Sequence, residues 1–233
     1  SVVGIIATGM TLIIITRGID LSVGSIIALT GCVAAILIVN FKVSWPLAIL
    51  ATLIIGFLVG GFNGLLITKF NVVPFIATLG SMNIIRGIAF IITNGQAIYV
   101  PDPVISFMGT GKLFSLIPVP AIIMLWLITK FTVFGRNVFA VGGNSVASRL
   151  AGIRVKHLTM VLYVLTGILS AVAGLVMTGL TSTAMPSAGD GYNLDVITAV
   201  YLGGNSASGG EGSVWRTFMG ILIIGILNNG MAL

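Results

Sequence analysis

Three observations predict an all-α fold: a polytopic transmembrane helical bundle with interrupted helices and an inverted internal repeat. First, 57% of the 233 residues are hydrophobic and only 7% are charged, against roughly a quarter charged in an ordinary soluble domain. Second, the segments 46–68, 72–92, 158–180 and 214–233 reach the roughly 20 apolar residues that a helix needs to cross a bilayer. The run 118–134 is slightly short, 2–16 begins with the chain, and 23–39 follows a polar interruption. Third, Gly18-Ile19-Asp20-Leu21-Ser22-Val23 and Gly191-Tyr192-Asn193-Leu194-Asp195-Val196 read alike, each a glycine-led polar break beside apolar sequence. Paired interruptions of this kind are the sequence pointer to a bundle built from internal repeats.

The whole of 1–233 reads as one transmembrane domain. It starts at Ser1 inside one apolar run and stops at Leu233 inside another, so it is expected to be a fragment of a longer polypeptide, truncated at both ends. The single cysteine, Cys32, excludes an intramolecular disulfide and reads as a small packing residue. The net charge of +6 does not point to nucleic acid, because no basic patch with interleaved aromatics exists. The charges report topology instead. With the 135–157 connection placed in the cytoplasm, Arg17, Lys69, Lys130, Arg136, Arg149, Arg154, Lys156 and Arg216 fall inside. Lys42 and Lys112 fall outside, which is the positive-inside distribution of a multi-pass membrane protein.

In chain order, 2–16 descends to Arg17, and the Gly18–Gly24 break leads into a helix rising through Ile26–Val39. Asn40–Trp45 is a short outer turn, with Pro46 suited to the first helical position. The helix 46–68 places Gly56, Gly60 and Gly64 on one face, a stripe that lets a neighbouring backbone approach closely. The helix 72–93 has Pro74 in its first turn and carries Thr78, Asn83 and Arg86 within an arc of roughly 140°. Arg86 is about 18 Å beyond Pro74 at 1.5 Å per residue, past the middle of the membrane. A guanidinium at that depth faces protein or water; both a structural hydrogen-bonding role and a role lining a path stay open. Residues 94–117 are a long outer connection. Its Gly109-Thr110-Gly111-Lys112 fails as a phosphate loop, since Ser106 replaces the leading Gly and Leu113 the final Ser/Thr.

The helix 118–134 returns the chain to the cytoplasm. There Asn144 is a competent cap for a short helix from Ser145 to Ala151, stopped by Gly152, with Val146, Leu150 and Ile153 as an apolar edge beside Arg149. Such a helix either rests at the headgroups or docks into a soluble partner. The helix 158–180 carries Gly167 and Gly174 as further packing positions. The stretch 188–204 has to cross as an interrupted, partly unwound helix if Arg216 is to lie inside. Asp20 and Asp195 sit in the two breaks, either as helix caps or at a gate. One His (His157), one Cys and no paired metal-ligand spacing make an intramembrane enzyme a poor reading, and no metal or cofactor is expected.

Taken together, Arg17-Gly18-Ile19-Asp20-Leu21-Ser22-Val23-Gly24-Ser25, Pro74-Phe75-Ile76-Ala77-Thr78-Leu79-Gly80, Arg86-Gly87, Thr93-Asn94-Gly95 and Gly142-Gly143-Asn144 form a specific set. Arg149-Leu150-Ala151-Gly152-Ile153, Leu202-Gly203-Gly204 and Leu227-Asn228-Asn229-Gly230 complete it. Over essentially its full length the chain resembles the ribose-type permease subunits of bacterial ABC importers, allied to the branched-chain amino-acid permeases. The resemblance implies a permease domain in the bacterial inner membrane that pairs with a second permease subunit, as a homodimer or heterodimer. A cytoplasmic ATP-binding subunit would drive it, and an extracytoplasmic solute-binding protein would deliver a sugar. It also implies that Arg136 and the segment of Asn144, Ser145, Val146, Ala147, Arg149, Leu150 and Gly152 form the coupling loop to the ATPase. Ser145 and Val146 stand where the family usually has Glu and Ala, which removes one carboxylate from that contact. The positions expected along the path or its gate are Asp20, Ser22, Phe75, Thr78, Asn83, Arg86, Asn94, Asn193 and Asp195. A branched-chain amino-acid permease is the nearest alternative. An ion-coupled transporter is a more distant one, because it needs carboxylates or His within the bundle.

Overall fold

A computed structural model describes residues 2–110 and 118–231; Lys112, and with it the Gly111–Leu113 part of the rejected phosphate loop, lies outside the described residues. The described residues form eleven helices and one two-stranded sheet. Helices α3 (Trp45–Thr68), α4 (Pro74–Thr93) and α9 (Val155–Thr181) are each long and apolar enough to cross a membrane. A fourth crossing of that length comes from α6 (Pro118–Phe131) and α7 (Val133–Gly143) if the pair, bent by 77°, is taken together. Helices α1 (Val2–Ile15) and α2 (Val23–Val39), and the Val214–Leu227 part of α11 (Val214–Met231), are apolar but shorter.

The packing is that of a protein solvated by lipid. On α3 the buried positions are Ala48, Thr52, Gly56, Gly60, Asn63, Gly64 and Thr68, all small or polar. Its bulky side chains Leu50, Ile54, Phe57, Leu58 and Phe62 are exposed. In water that arrangement exposes the wrong face. In a bilayer large apolar groups gain nothing by leaving the tails, and close backbone contact holds helices together. The glycine stripe makes that contact with α9: Gly56 lies on Gly167, Gly60 on Tyr163 and Gly64 on Met160, so α3 and α9 are antiparallel. Gly174 lies on Ile27 and Thr30 of α2, which runs parallel to α9.

Several connections are more structured than the sequence suggests. The outer connection after α4 holds β1 (Ile98–Tyr99) and α5 (Pro103–Thr110). Asp102 accepts from Val104 N at 2.8 Å and Ile105 N at 3.1 Å, and Pro103 fills the first helical position. Gly109 of α5 packs on Gly179 of α9, and β1 pairs antiparallel with β2 (Thr183–Ala184). The expected span 118–134 ends at Phe131, because Thr132 starts α7 by accepting from Gly135 N. The short helix after it is found as expected. In α8 (Ser145–Leu150), Asn144 Oδ1 accepts from Val146 N at 3.0 Å and Ala147 N at 2.9 Å, and Gly152 at φ +87° ends the turn.

The two similar breaks share a place but not a register. After α1 the chain from Gly18 to Leu21 has no regular structure, and α2 starts only at Val23. After β2 the irregular segment ends at Gly191 (φ +80°), and α10 (Tyr192–Leu202) begins at once. Gly18–Val23 is therefore almost wholly non-helical, while its sequence counterpart is helical from its second residue.

The ends of the bundle separate the charges. Arg17 Nε donates to Gly142 O and Nη2 to Gly143 O, both at 2.7 Å, and Gly210 N donates to Ile15 O at 2.8 Å. The break after α1, the end of α7 and the α10–α11 connection thus meet at one end. Lys69, at the end of α3, and Lys156, at the start of α9, share that end through the antiparallel packing. Lys130, Arg136, Arg149, Arg154 and Arg216 belong to the elements gathered there, and Lys42 lies in the turn at the other end.

Candidate functional site: a polar cavity where two half-helices begin

The break before α2 is held by a buried chain of hydrogen bonds. Asp20 Oδ1 accepts from Ser22 N at 2.9 Å and Ser22 Oγ at 2.6 Å. Asn63 Nδ2 donates to Ser22 Oγ at 2.9 Å, and Ser81 Oγ donates to Asn63 Oδ1. Tyr163 donates its hydroxyl to Ile19 O at 3.1 Å, which ties α9 to the same unwound backbone. Asp20 therefore closes a turn two residues ahead of α2, rather than bonding the helix's own amides. Asp20 is fully buried, and its Oδ2 has no hydrogen-bond partner among the described residues. Thr78 is also buried, bonded back to Pro74 O at 2.9 Å and within 3.5 Å of Ile19 O.

Arg86 performs the matching task at the second break. Its Nη1 donates to Pro186 O at 2.8 Å and Ala188 O at 2.7 Å, capturing two carbonyls of the non-helical segment ahead of α10. No carboxylate forms an ion pair with it among the described residues. Gly189 packs against the backbone of Gly24 and the side chain of Ile27. The start of α10 is therefore brought against the start of α2, which runs towards the opposite end.

Between these two helix starts and α4 lies a cavity of about 350 Å³, lined by Ser25, Asn83, Arg86, Asp190 and Asn193 among polar residues. Leu21, Met82, Phe90 and Leu194 supply its apolar wall. Arg86 stands about 18 Å along an α4 of about 30 Å, so the cavity lies well away from both ends of that helix, with Asn83, Phe90, Asp190 and Leu194 exposed at its open side. Both helices begin in this region, where the helix dipole is positive, and at α10 Tyr192 N and Leu194 N already donate to Gly189 O and Gly191 O.

Of the positions that sequence singled out, Asn83, Arg86 and Asn193 line this cavity; Asp20, Ser22 and Thr78 form the frame behind it. Phe75 is half exposed in the first turn of α4. Asn94 ends α4 in a left-handed conformation at φ 51°. Asp195 sits in the first turn of α10, with no side-chain hydrogen bond among the described residues. None of these last three lines the cavity. Ser25 and Asp190, which do, were not singled out: a serine inside an apolar helix and an aspartate in a glycine-rich turn carry no local signal.

At the charged end, α8 projects from the bundle. Val146 is 65% exposed and Leu150 85% exposed, with Arg149 beside them, while Ser148 is buried against the body. Arg136 is exposed on α7.

A family model described as "Branched-chain amino acid transport system / permease component" matches residues 1–233. The ribose import permease protein of Bacillus subtilis (strain 168) is 46% identical over 237 residues, covering 99% of this chain and 73% of that protein. The ribose import permease protein of Escherichia coli (strain K12) is 42% identical over 243 residues, covering 100% of this chain and 75% of that protein. The L-arabinose transport system permease protein of Escherichia coli (strain K12) is 37% identical over 238 residues, covering 100% and 72%. No solved structure matches the chain significantly. The full-length family match, with identities of this size, establishes that the chain belongs to the branched-chain amino acid transport system / permease component family, in its ribose-type branch of ABC permeases.

Proposed function

We propose that this chain is the membrane-spanning permease subunit of a bacterial ABC importer, which carries a sugar through the inner membrane while a separate ATPase subunit supplies the energy. Support for sugar over branched-chain amino acids comes from the relatives, which are permeases named for ribose and L-arabinose. The structural observation that carries the reading is the meeting of two half-helices around Arg86 deep in an otherwise apolar bundle. Irregular backbone at that depth is tolerated where it is enclosed by protein or borders a wet cavity, and transporters place their passage at such joints.

In this reading the charged end faces the cytoplasm, following the positive-inside rule. Helix α8 docks into the ATPase, with Val146 and Leu150 as apolar contacts and Arg149 as the charged one. A solute-binding protein delivers sugar at the opposite end, and a second permease subunit completes the passage. Asn83, Arg86 and Asn193 border the route; Asp20, Ser22 and Thr78 hold its frame.

The experiment is ATP-dependent uptake in proteoliposomes holding the permease, its ATPase and its binding protein. Radiolabelled D-ribose, L-arabinose and D-galactose are compared with L-valine. Uptake of at least one sugar and none of L-valine is expected; the reverse pattern assigns the chain to amino acids. In the same vesicles Arg149→Glu is expected to leave the permease inserted while uptake collapses. Normal uptake by that variant would remove the docking role of α8.

A further inference from the structure

We propose that the cavity between α2, α4 and α10 is a stopping site for one sugar molecule on its way through the membrane, with Ser25 and Asp190 among its contacts; this rests on the reading of the chain as a sugar permease. Ser25 is fully buried, and its Oγ has no hydrogen-bond partner among the described residues although it lines the cavity. A buried hydroxyl left unmatched is costly, and a visiting hydroxyl removes that cost.

The other polar groups are also uncommitted. Among the described residues the Asn193 side-chain amide donates only to Met82 Sδ at 3.7 Å, a weak acceptor. Asn83 is exposed into the same space, and the Asp190 carboxylate has no hydrogen bond or ion pair among the described residues, although it lies within range of the Arg86 charge. Arg86 spends Nη1 on the two carbonyls. The set offers donors from Arg86, acceptors from Asp190, and both from Ser25, Asn83 and Asn193, with one positive and one negative charge. A neutral ring carrying hydroxyls on every edge uses both kinds at once. The volume of about 350 Å³ lies at the small end of the roughly 300–1,000 Å³ typical of small-molecule sites, enough for one ring.

The test uses the complete importer in proteoliposomes. In a Cys32→Ala background, Ser25→Cys puts a single thiol in the cavity. Its reaction with a small charged methanethiosulfonate is timed alone, with the sugar that the wild type carries, and with L-valine. The S25C thiol is expected to react, and to do so about tenfold more slowly once that sugar reaches about ten times its dissociation constant, with no effect of L-valine. A second variant on the native chain, Asp190→Asn, is expected to lower sugar uptake per ATP hydrolysed, with ATP hydrolysis retained.

The outcomes are separable. If the wild type carries sugar, while the thiol is unreactive or unprotected and Asp190→Asn transports normally, the stopping site is overturned and the importer reading stands. If the S25C protein does not assemble, Asp190→Asn decides alone: normal uptake per ATP overturns the site. Protection by L-valine in place of sugar overturns both the ligand assigned to the cavity and the sugar reading. A wild type that carries no sugar at all overturns the importer reading, and the stopping site with it.

Discussion

Arg86 does with one atom what a missing stretch of helix would do along its length. Carbonyls that leave a helical ladder inside a membrane must find donors, and Nη1 supplies both Pro186 and Ala188. Bonds to a charged donor are worth about 1.5–3 kcal/mol each. Arg86→Met should therefore speed amide exchange across 185–191 and stop uptake without preventing insertion; exchange unchanged from wild type in that segment would show that the arginine does not hold it. The residue itself was legible, because a guanidinium twelve positions into an apolar helix needs a reason. Its partners were not, since backbone carbonyls a hundred residues away leave no mark on local sequence. The same holds for Asn63, which looks like one polar residue in an apolar helix and proves to join Ser22 to Ser81.

Among the elements, α3 and α9 meet through glycine, and the tolerance of that seam is narrow. A Cβ at Gly60 meets the backbone of Tyr163 and Val164. Gly60→Leu should lower stability by about 1–3 kcal/mol or more from overpacking, read as a fall in the thermal midpoint of the purified protein. Phe57→Leu on the exposed face should stay within about 0.5 kcal/mol. On α8, Asn144→Ala removes a cap worth about 1 kcal/mol; uptake is expected to fall with it, and Asn144→Asp is expected to restore it. Helices α3, α4 and α9 could be read directly, since each is one long apolar run. Helices α5 and α7 do not stand out in the sequence because their runs are short. The Asp102-Pro103 pair and Thr132 were the signals available, but cap residues are also common in loops.

Across the whole molecule, the charged end is stitched together where the knob begins. Arg17 holds the carbonyls of Gly142 and Gly143, immediately before Asn144, and it sits three residues ahead of Asp20. Ile15 O receives Gly210 N from the connection that follows α10. The corner ahead of α8 is thus hydrogen-bonded to the break before α2, and the end of α1 to the connection after α10. Arg17→Ala is expected to preserve ATP hydrolysis by the assembled importer and to reduce sugar moved per ATP; an unchanged ratio would remove Arg17 from this linkage. Sidedness can be checked with thiols introduced one at a time and compared with the parent protein. Lys42→Cys should react from outside intact cells and Arg154→Cys only after the membrane is opened. The sorting of positive charge was visible in the sequence. That the charged loops touch one another was not, because it depends on how α1, α7 and α10 are brought together.

The inverted face of α3, bulky outside and minute inside, has a consequence for how this chain can drift over evolutionary time. Its lipid-facing positions can exchange Leu, Ile, Val and Phe with little penalty, while Gly56, Gly60 and Gly64 on the interior face leave no room for a larger side chain. A saturation survey of α3 should therefore give a tolerance map opposite to that of a soluble helix: permissive to oil on the outside, and restricted within by size at the glycines and by hydrogen bonding at Asn63.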